Sequence, residues 1–191
     1  MADKNKKMEK WNSIKYIEGL KSCIERCNIN QINNGIDLIY NTWKKGNQII
    51  TLGNGGSSMT ALHMITDWNK SIFLSTGIPF RGRTLVDNIG LMMAYANDMS
   101  FENIFVEQLK NILSPGDLVI AISGSGNSQN VINAIEYANS NGGLTLGLSG
   151  YDGGKLIKVS QHNIWVDSYD MQFVEDIHSI FGHMVMKQLC N

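Results

Sequence analysis

The sequence predicts an α/β fold, a doubly wound parallel sheet of about five strands with two extra helices at its N-terminal end. Two observations carry this. Short β-branched runs, among them the wholly apolar LVIAI at 118–122, recur along the chain and read as strands buried on both faces. Between them lie longer stretches whose apolar residues repeat at helical spacing, so strand and helix alternate. A length of 191 residues with 43% hydrophobic content suits one well-buried domain spanning residues 1–191.

Taken in order, residues 1–9 are polar. Trp11, Ile14, Ile17, Leu20, Ile24 and Cys27 then recur at helical spacing, and Ile32, Ile36, Ile39 and Trp43 form a second helical set that Gly46 stops, so the leading helices cover about 10–46. Their apolar surface serves both the sheet and contact with another subunit. Residues 49–67, IITLGNGGSSMTALHMITD, read as a strand over Ile49–Leu52, a glycine turn and a helix that Ser57 caps. Thr84–Asp87 is the candidate second strand. An apolar helix over 89–95 follows, broken by Asn97 and Asp98, and Phe101, Ile104, Phe105 and Leu109 place one helix over 101–113. After a turn at Ser114–Asp117, the strand Asp117–Ile122 leads into SGSGNS at 123–128 and a helix over 130–140. Thr145–Ser149 and Asn163–Val166 are the remaining strands, and a helix over 174–189 closes the chain. In such sheets ligands bind beyond the carboxyl ends of the strands, where the 53–58 and 123–128 loops both fall.

Sixteen basic against seventeen acidic residues give a net charge of -1, so there is no general electrostatic pull toward nucleic acid or an anionic membrane. Anion binding must therefore be local. Cys23, Cys27 and Cys190 lack zinc-ligand pairing, and Cys23 and Cys27, one helical turn apart, read as small core residues rather than a disulfide. The polar start holds no apolar signal core, which makes the cytoplasm the expected location.

Three constellations carry chemistry. Gly53, Gly55 and Gly56 let the backbone come close to a ligand at the opening of a helix whose free amides suit an anion such as a phosphate, or a sugar oxygen. They are neither a nucleotide P-loop, since no Gly-Lys-Ser/Thr follows, nor a dinucleotide fingerprint. Ser123, Ser125 and Ser128 supply three hydroxyls interleaved with glycines that bare backbone amides, a set that holds a phosphomonoester without lysine or arginine. His63 and Asp67 share a helical face one turn apart, and Glu175 and His183 share one on the closing helix. If the two helices meet, these four side chains suit zinc or another divalent ion, or a proton-transfer couple.

The run Gly53 to Ser57 followed by His63, the pair Asn97 and Asp98, the loop Ser123 to Ser128 and the helix from Glu175 to His183 together resemble the SIS (sugar isomerase) domain. The resemblance is closest to its phosphoheptose isomerase branch, runs from about residue 15 to the end and keeps the order of every motif. It implies a flavodoxin-like five-stranded sheet, a homotetramer with sites at subunit interfaces, and a zinc ion. It also implies isomerisation between sedoheptulose 7-phosphate and D-glycero-D-manno-heptose 7-phosphate on the way to lipopolysaccharide or capsule. Asn54, Gly55, Gly56 and Ser57 would then lie on the sugar, Asn97 and Asp98 on its hydroxyls, and Ser123, Gly124, Ser125 and Ser128 on the phosphate. His63, Asp67, Glu175 and His183 would hold the metal, with Asp67 or Glu175 as the base and His183 as the acid.

Several positions depart from that branch. Asp67 stands where Glu is usual, Glu175 where Gln is, and Gly124 where Thr is; Gln172 and Phe173 replace an Asp-Arg pair, and Lys70 or Ser71 an Arg. The departures cluster at the reacting end of the sugar. Alternatives to a phosphoheptose isomerase are therefore an isomerase of another sugar phosphate and a non-catalytic adaptor, since a relative of this branch binds a replication initiator.

Overall fold

The computed structural model describes residues 12–191, so Trp11 and the polar start lie outside it. Two helices lead, α1 (Ser13–Glu25) and α2 (Ile29–Lys44). Each is capped by an asparagine: Asn12 accepts from the Lys15 amide, and Asn28 from the amides of Asn30 and Gln31. Strands β1 (Ile49–Gly53), β2 (Gly82–Thr84), β3 (Leu118–Ser123), β4 (Leu144–Ser149) and β5 (His162–Trp165) pair in parallel in the order β2-β1-β3-β4-β5. That is the flavodoxin-type order, and its switch point lies between β1 and β3. The remaining helices are α3 (Gly56–Asp67), continued by a π-helical turn at Trp68–Ile72 and the short α4 (Phe73–Thr76), then α5 (Ile89–Asp98), α6 (Val106–Ile112), α7 (Gln129–Ser140), α8 (Leu156–Val159) and α9 (Met171–Cys190).

Alternation along the strands sorts the core into two layers. Leu118, Ile120 and Ile122 of β3 join α2, α3 and α9 on one face, while Val119 and Ala121 join α6 and α7 on the other. A smaller cluster of Cys23, Val166, Phe173, Val174 and Ile177 seats α1 against α9. There the Tyr16 hydroxyl donates to Asp176 at 2.6 Å, and this bond, ahead of burial, holds the phenol's pKa up at about 12. Cys23 is buried and carries no disulfide, as its helical spacing with Cys27 implied. No described helix is long and apolar enough to cross a membrane.

The second strand falls earlier than expected, at Gly82–Thr84 rather than Thr84–Asp87. Leu85 and Val86 carry the apolar signal because they are buried against the α6 and α7 layer, although the chain there is leaving the sheet. Asn97 and Asp98 do not break the following helix; they are the last two residues of α5. The single helix over 101–113 is instead a 3-10 turn at Phe101–Asn103 followed by α6. Phe101 is more than half exposed, whereas Ile104, Phe105 and Leu109 are buried. Trp43 serves its own core, buried with its indole N–H donating to the Pro79 carbonyl, and offers nothing to a neighbour.

His178 of α9 is fully buried, its Nε2 lies 3.4 Å from the Ser149 carbonyl oxygen, and burial lowers its pKa to about 4. Below about pH 6.5 the unfolded chain therefore takes up a proton that the folded chain refuses until pH approaches 4. Stability is expected to fall as pH drops through that window, by up to about 1.4 kcal/mol per pH unit from this residue. Urea melts at pH 7.0 and 5.0 check this. His178→Gln should shrink the difference between the two midpoints.

Candidate active site

The crevice forms where β1 and β3 send their chains to opposite faces of the sheet. β1 ends at Gly53, whose position is confined: a β-carbon there would sit 2.9 Å from the Ile122 carbonyl oxygen and from Ser57. The chain turns through Asn54 and Gly55, the latter at φ 53°, and enters α3 at Gly56. Ser57 does not cap α3. Gly55 occupies that position, no side chain caps it, and Ser57 is buried inside the first turn. The two loops of the crevice are tied by a reciprocal amide bridge, Asn54 Nδ2 to Asn130 Oδ1 at 2.8 Å and Asn130 Nδ2 to Asn54 Oδ1 at 3.0 Å. Asn130 had no sequence signal beyond its place two residues after Ser128.

The serine loop is folded on itself. Ser123 is buried and its hydroxyl meets that of Ser128 at 3.4 Å; the Asn127 amide donates to Ser125 Oγ at 3.3 Å; Gly126, at φ 64°, donates its amide to the Ser123 carbonyl. Ser128 opens α7 without bonding its side chain to the helix; its carbonyl accepts the Val131 and Ile132 amides, so the orphan donors of the first turn are those of Gln129 and Asn130. From behind, Gly150 and Leu156 donate their amides to the Gly124 and Gly126 carbonyls. At Gly124 a β-carbon would meet the Met171 thioether at the start of α9, the flexible end of a side chain that would have to shift.

The helices α3 and α9 pack side by side and run the same way. At their N-terminal ends the Glu175 carboxylate lies against Gly56, where a β-carbon would stand 2.6 Å from Oε1. Further along, His63 Nε2 and His183 Nε2 face each other at 3.0 Å, with Asp67 Oδ2 at 3.4 Å from the first and 3.8 Å from the second. The two rings are nearly perpendicular, at 88°, and both are half exposed. The expected set of four is therefore not assembled. Three members meet, but Glu175 precedes His183 by eight residues, roughly 12 Å along the axis, and stays at the glycine turn. Asn97 and Asp98 lie exposed at the end of α5 and bond to each other at 2.8 Å.

Among the described residues these three could hold a divalent ion, one ligand atom from each lying within 4.8 Å of the others. A tetrahedral zinc with bonds of about 2.0–2.1 Å sets its ligand atoms roughly 3.3 Å apart, and the spacings here are 3.0, 3.4 and 3.8 Å.

Residues 14–150 match the family model of the SIS domain. The chain belongs to the SIS domain family. Among its relatives, a phosphoheptose isomerase of Aliarcobacter butzleri is 36% identical over 151 residues, 78% of this chain and 79% of that protein. A probable phosphoheptose isomerase of Thermoplasma acidophilum is 33% identical over 171 residues, 90% of this chain and 93% of its own. The solved phosphoheptose isomerase of Francisella tularensis superposes with a TM-score of 0.84 at 20% identity, covering 94% of this chain and 98% of that one. That likeness shows that this SIS chain shares the relative's fold.

Proposed function

We propose that this chain is a sugar-phosphate isomerase of the phosphoheptose type, interconverting sedoheptulose 7-phosphate and D-glycero-D-manno-heptose 7-phosphate. The carrying observation is that the Asn54–Asn130 amide bridge ties the serine loop and the start of α7 to the start of α3, whose far end, with α9, carries the half-exposed His63, Asp67, His183 cluster. Seven residues of α3 separate Gly56 from His63, about 10 Å at 1.5 Å per residue. A substrate with phosphate at one end of a long carbon chain and carbonyl at the other suits that separation.

In this reading Ser123, Ser125 and Ser128 hold the phosphate, together with the first amides of α7. Asn54, Gly55 and Gly56 line the sugar, and Asn97 and Asp98 bind its hydroxyls. Asp67 carries the proton between C1 and C2 through an enediolate, and His183 serves the oxygens. Asp67 is preferred to Glu175 as base because its oxygen lies 3.4 and 3.8 Å from the two imidazoles, whereas Glu175 rests on Gly56. Zinc or another divalent ion held by His63, Asp67 and His183 would supply Lewis acidity toward the sugar oxygens. The assembled cluster speaks against a retired, purely adaptor role, in which nothing would keep these groups together.

A homotetramer fits the surface. Ile14 and Ile17 of α1 are about two-thirds exposed, and α5 buries none of its residues while exposing Ile89 and Met93. The reaction belongs in the cytoplasm, supplying heptose for lipopolysaccharide or capsule. Incubation with sedoheptulose 7-phosphate and zinc should yield the aldose; no product, with or without metal, overturns the assignment. Ser123→Ala should weaken sugar-phosphate binding by about 1–3 kcal/mol, the worth of one charge-assisted hydrogen bond. Equal affinity of the unmodified protein for sugar phosphate and free sugar would remove the cradle.

A further inference from the structure

Resting on the metal-cluster reading above, we propose that Trp68 is the positioning residue of the site, fixing Asp67 and His183 at ligand distance through its indole N–H. Trp68 follows Asp67 directly and is wholly buried. Its Nε1 donates at 2.9 Å to the carbonyl of Gly182, the residue immediately before His183. One hydrogen bond thus joins the neighbours of two cluster members across the seam between α3 and α9. Gly182 is what lets the helices approach here, since a β-carbon on it would stand 2.8 Å from Met64 Cγ.

The local backbone reinforces the tie. Trp68 opens the π-helical turn, a widened geometry that recurs near functional sites and that ends the regular helix at Asp67. Asn69 then grips the edge strand from both sides, its Oδ1 accepting from the Gly82 amide and its Nδ2 donating to the Gly82 carbonyl, each at 3.0 Å. The residues after Asp67 are therefore bolted to α9 on one side and to β2 on the other. An aspartate carries its carboxylate on a single methylene and has little reach to correct a loose helix pair, so its oxygen must be placed by the backbone beneath it. Partners that orient ligands in this way typically change metal affinity 10–100-fold when lost.

Cobalt(II), a visible-absorbing stand-in for zinc, tests the proposal without turnover. Trp68→Phe keeps the buried ring and deletes the donor. We expect its cobalt affinity to fall at least about tenfold, with a weakened tetrahedral absorption band. Phe80→Leu is the control, because Phe80 packs edge-on against Trp68 at 5.9 Å and has no donor. It should lower the melting temperature and leave the cobalt spectrum unchanged. Unchanged affinity and spectrum in Trp68→Phe, or losses in both variants that simply track melting temperature, would overturn the role of Trp68. Failure of the unmodified protein to bind cobalt would overturn the metal cluster together with it. Cobalt binding without heptose turnover would remove only the substrate assignment.

Discussion

Asp67→Asn is expected to lower turnover of sedoheptulose 7-phosphate by at least about a hundredfold, the scale of losing a general base, in a protein that still melts normally. The residue is only partly buried and its side chain bears on the two imidazoles rather than on the core, so shape is kept while charge is lost. Asp67→Glu is the sharper variant. With Oδ2 already at 3.4 and 3.8 Å from the imidazoles, an added methylene displaces the oxygen by about a bond length, and misplacement on the order of 1 Å costs about a hundredfold. Glutamate should therefore reduce kcat. An increase with glutamate would mean that the pocket is a decayed form of the family's site, and indifference to Asn, Glu and Ala alike would take Asp67 out of the chemistry.

Phe181→Ala should cost about 3–5 kcal/mol of stability, the range for emptying a buried aromatic site. Phe181 is 1% exposed and reaches across to Gly35 of α2, where a β-carbon would stand 3.3 Å from its ring, and Ile164 of β5 lies against the same glycine. The ring thus fills a junction of two helices and a strand. A urea midpoint within the error of the unmodified protein would show that this junction repacks.

The sheet was legible because buried parallel strands declare themselves by apolar β-branched runs, as Leu118 to Ile122 do. β2 was not, since a three-residue edge strand of Gly82, Arg83 and Thr84 has no such run and the nearby apolar signal belongs to Leu85 and Val86. At the site, helical spacing correctly paired His63 with Asp67 and brought in His183. It misjudged Glu175 because a shared helical face says nothing about depth along the axis. Trp68 and Asn130 were silent for a different reason: their partners, the Gly182 carbonyl and the Asn54 amide, lie 114 and 76 residues away.

The amide bridge between Asn54 and Asn130 joins loops whose helices, α3 and α7, belong to opposite hydrophobic layers. Those layers lie mainly on opposite faces of the sheet, so the crevice is a seam, and a ligand gripping both loops would act as a rivet through two plates. Neither layer can peel away without releasing it, and occupancy is transmitted to the whole domain as resistance to melting. At a hundred times its Kd such a ligand adds about 2.7 kcal/mol to unfolding, so the molecule's own melting temperature ranks the sugar phosphates it accepts, whether or not it turns them over.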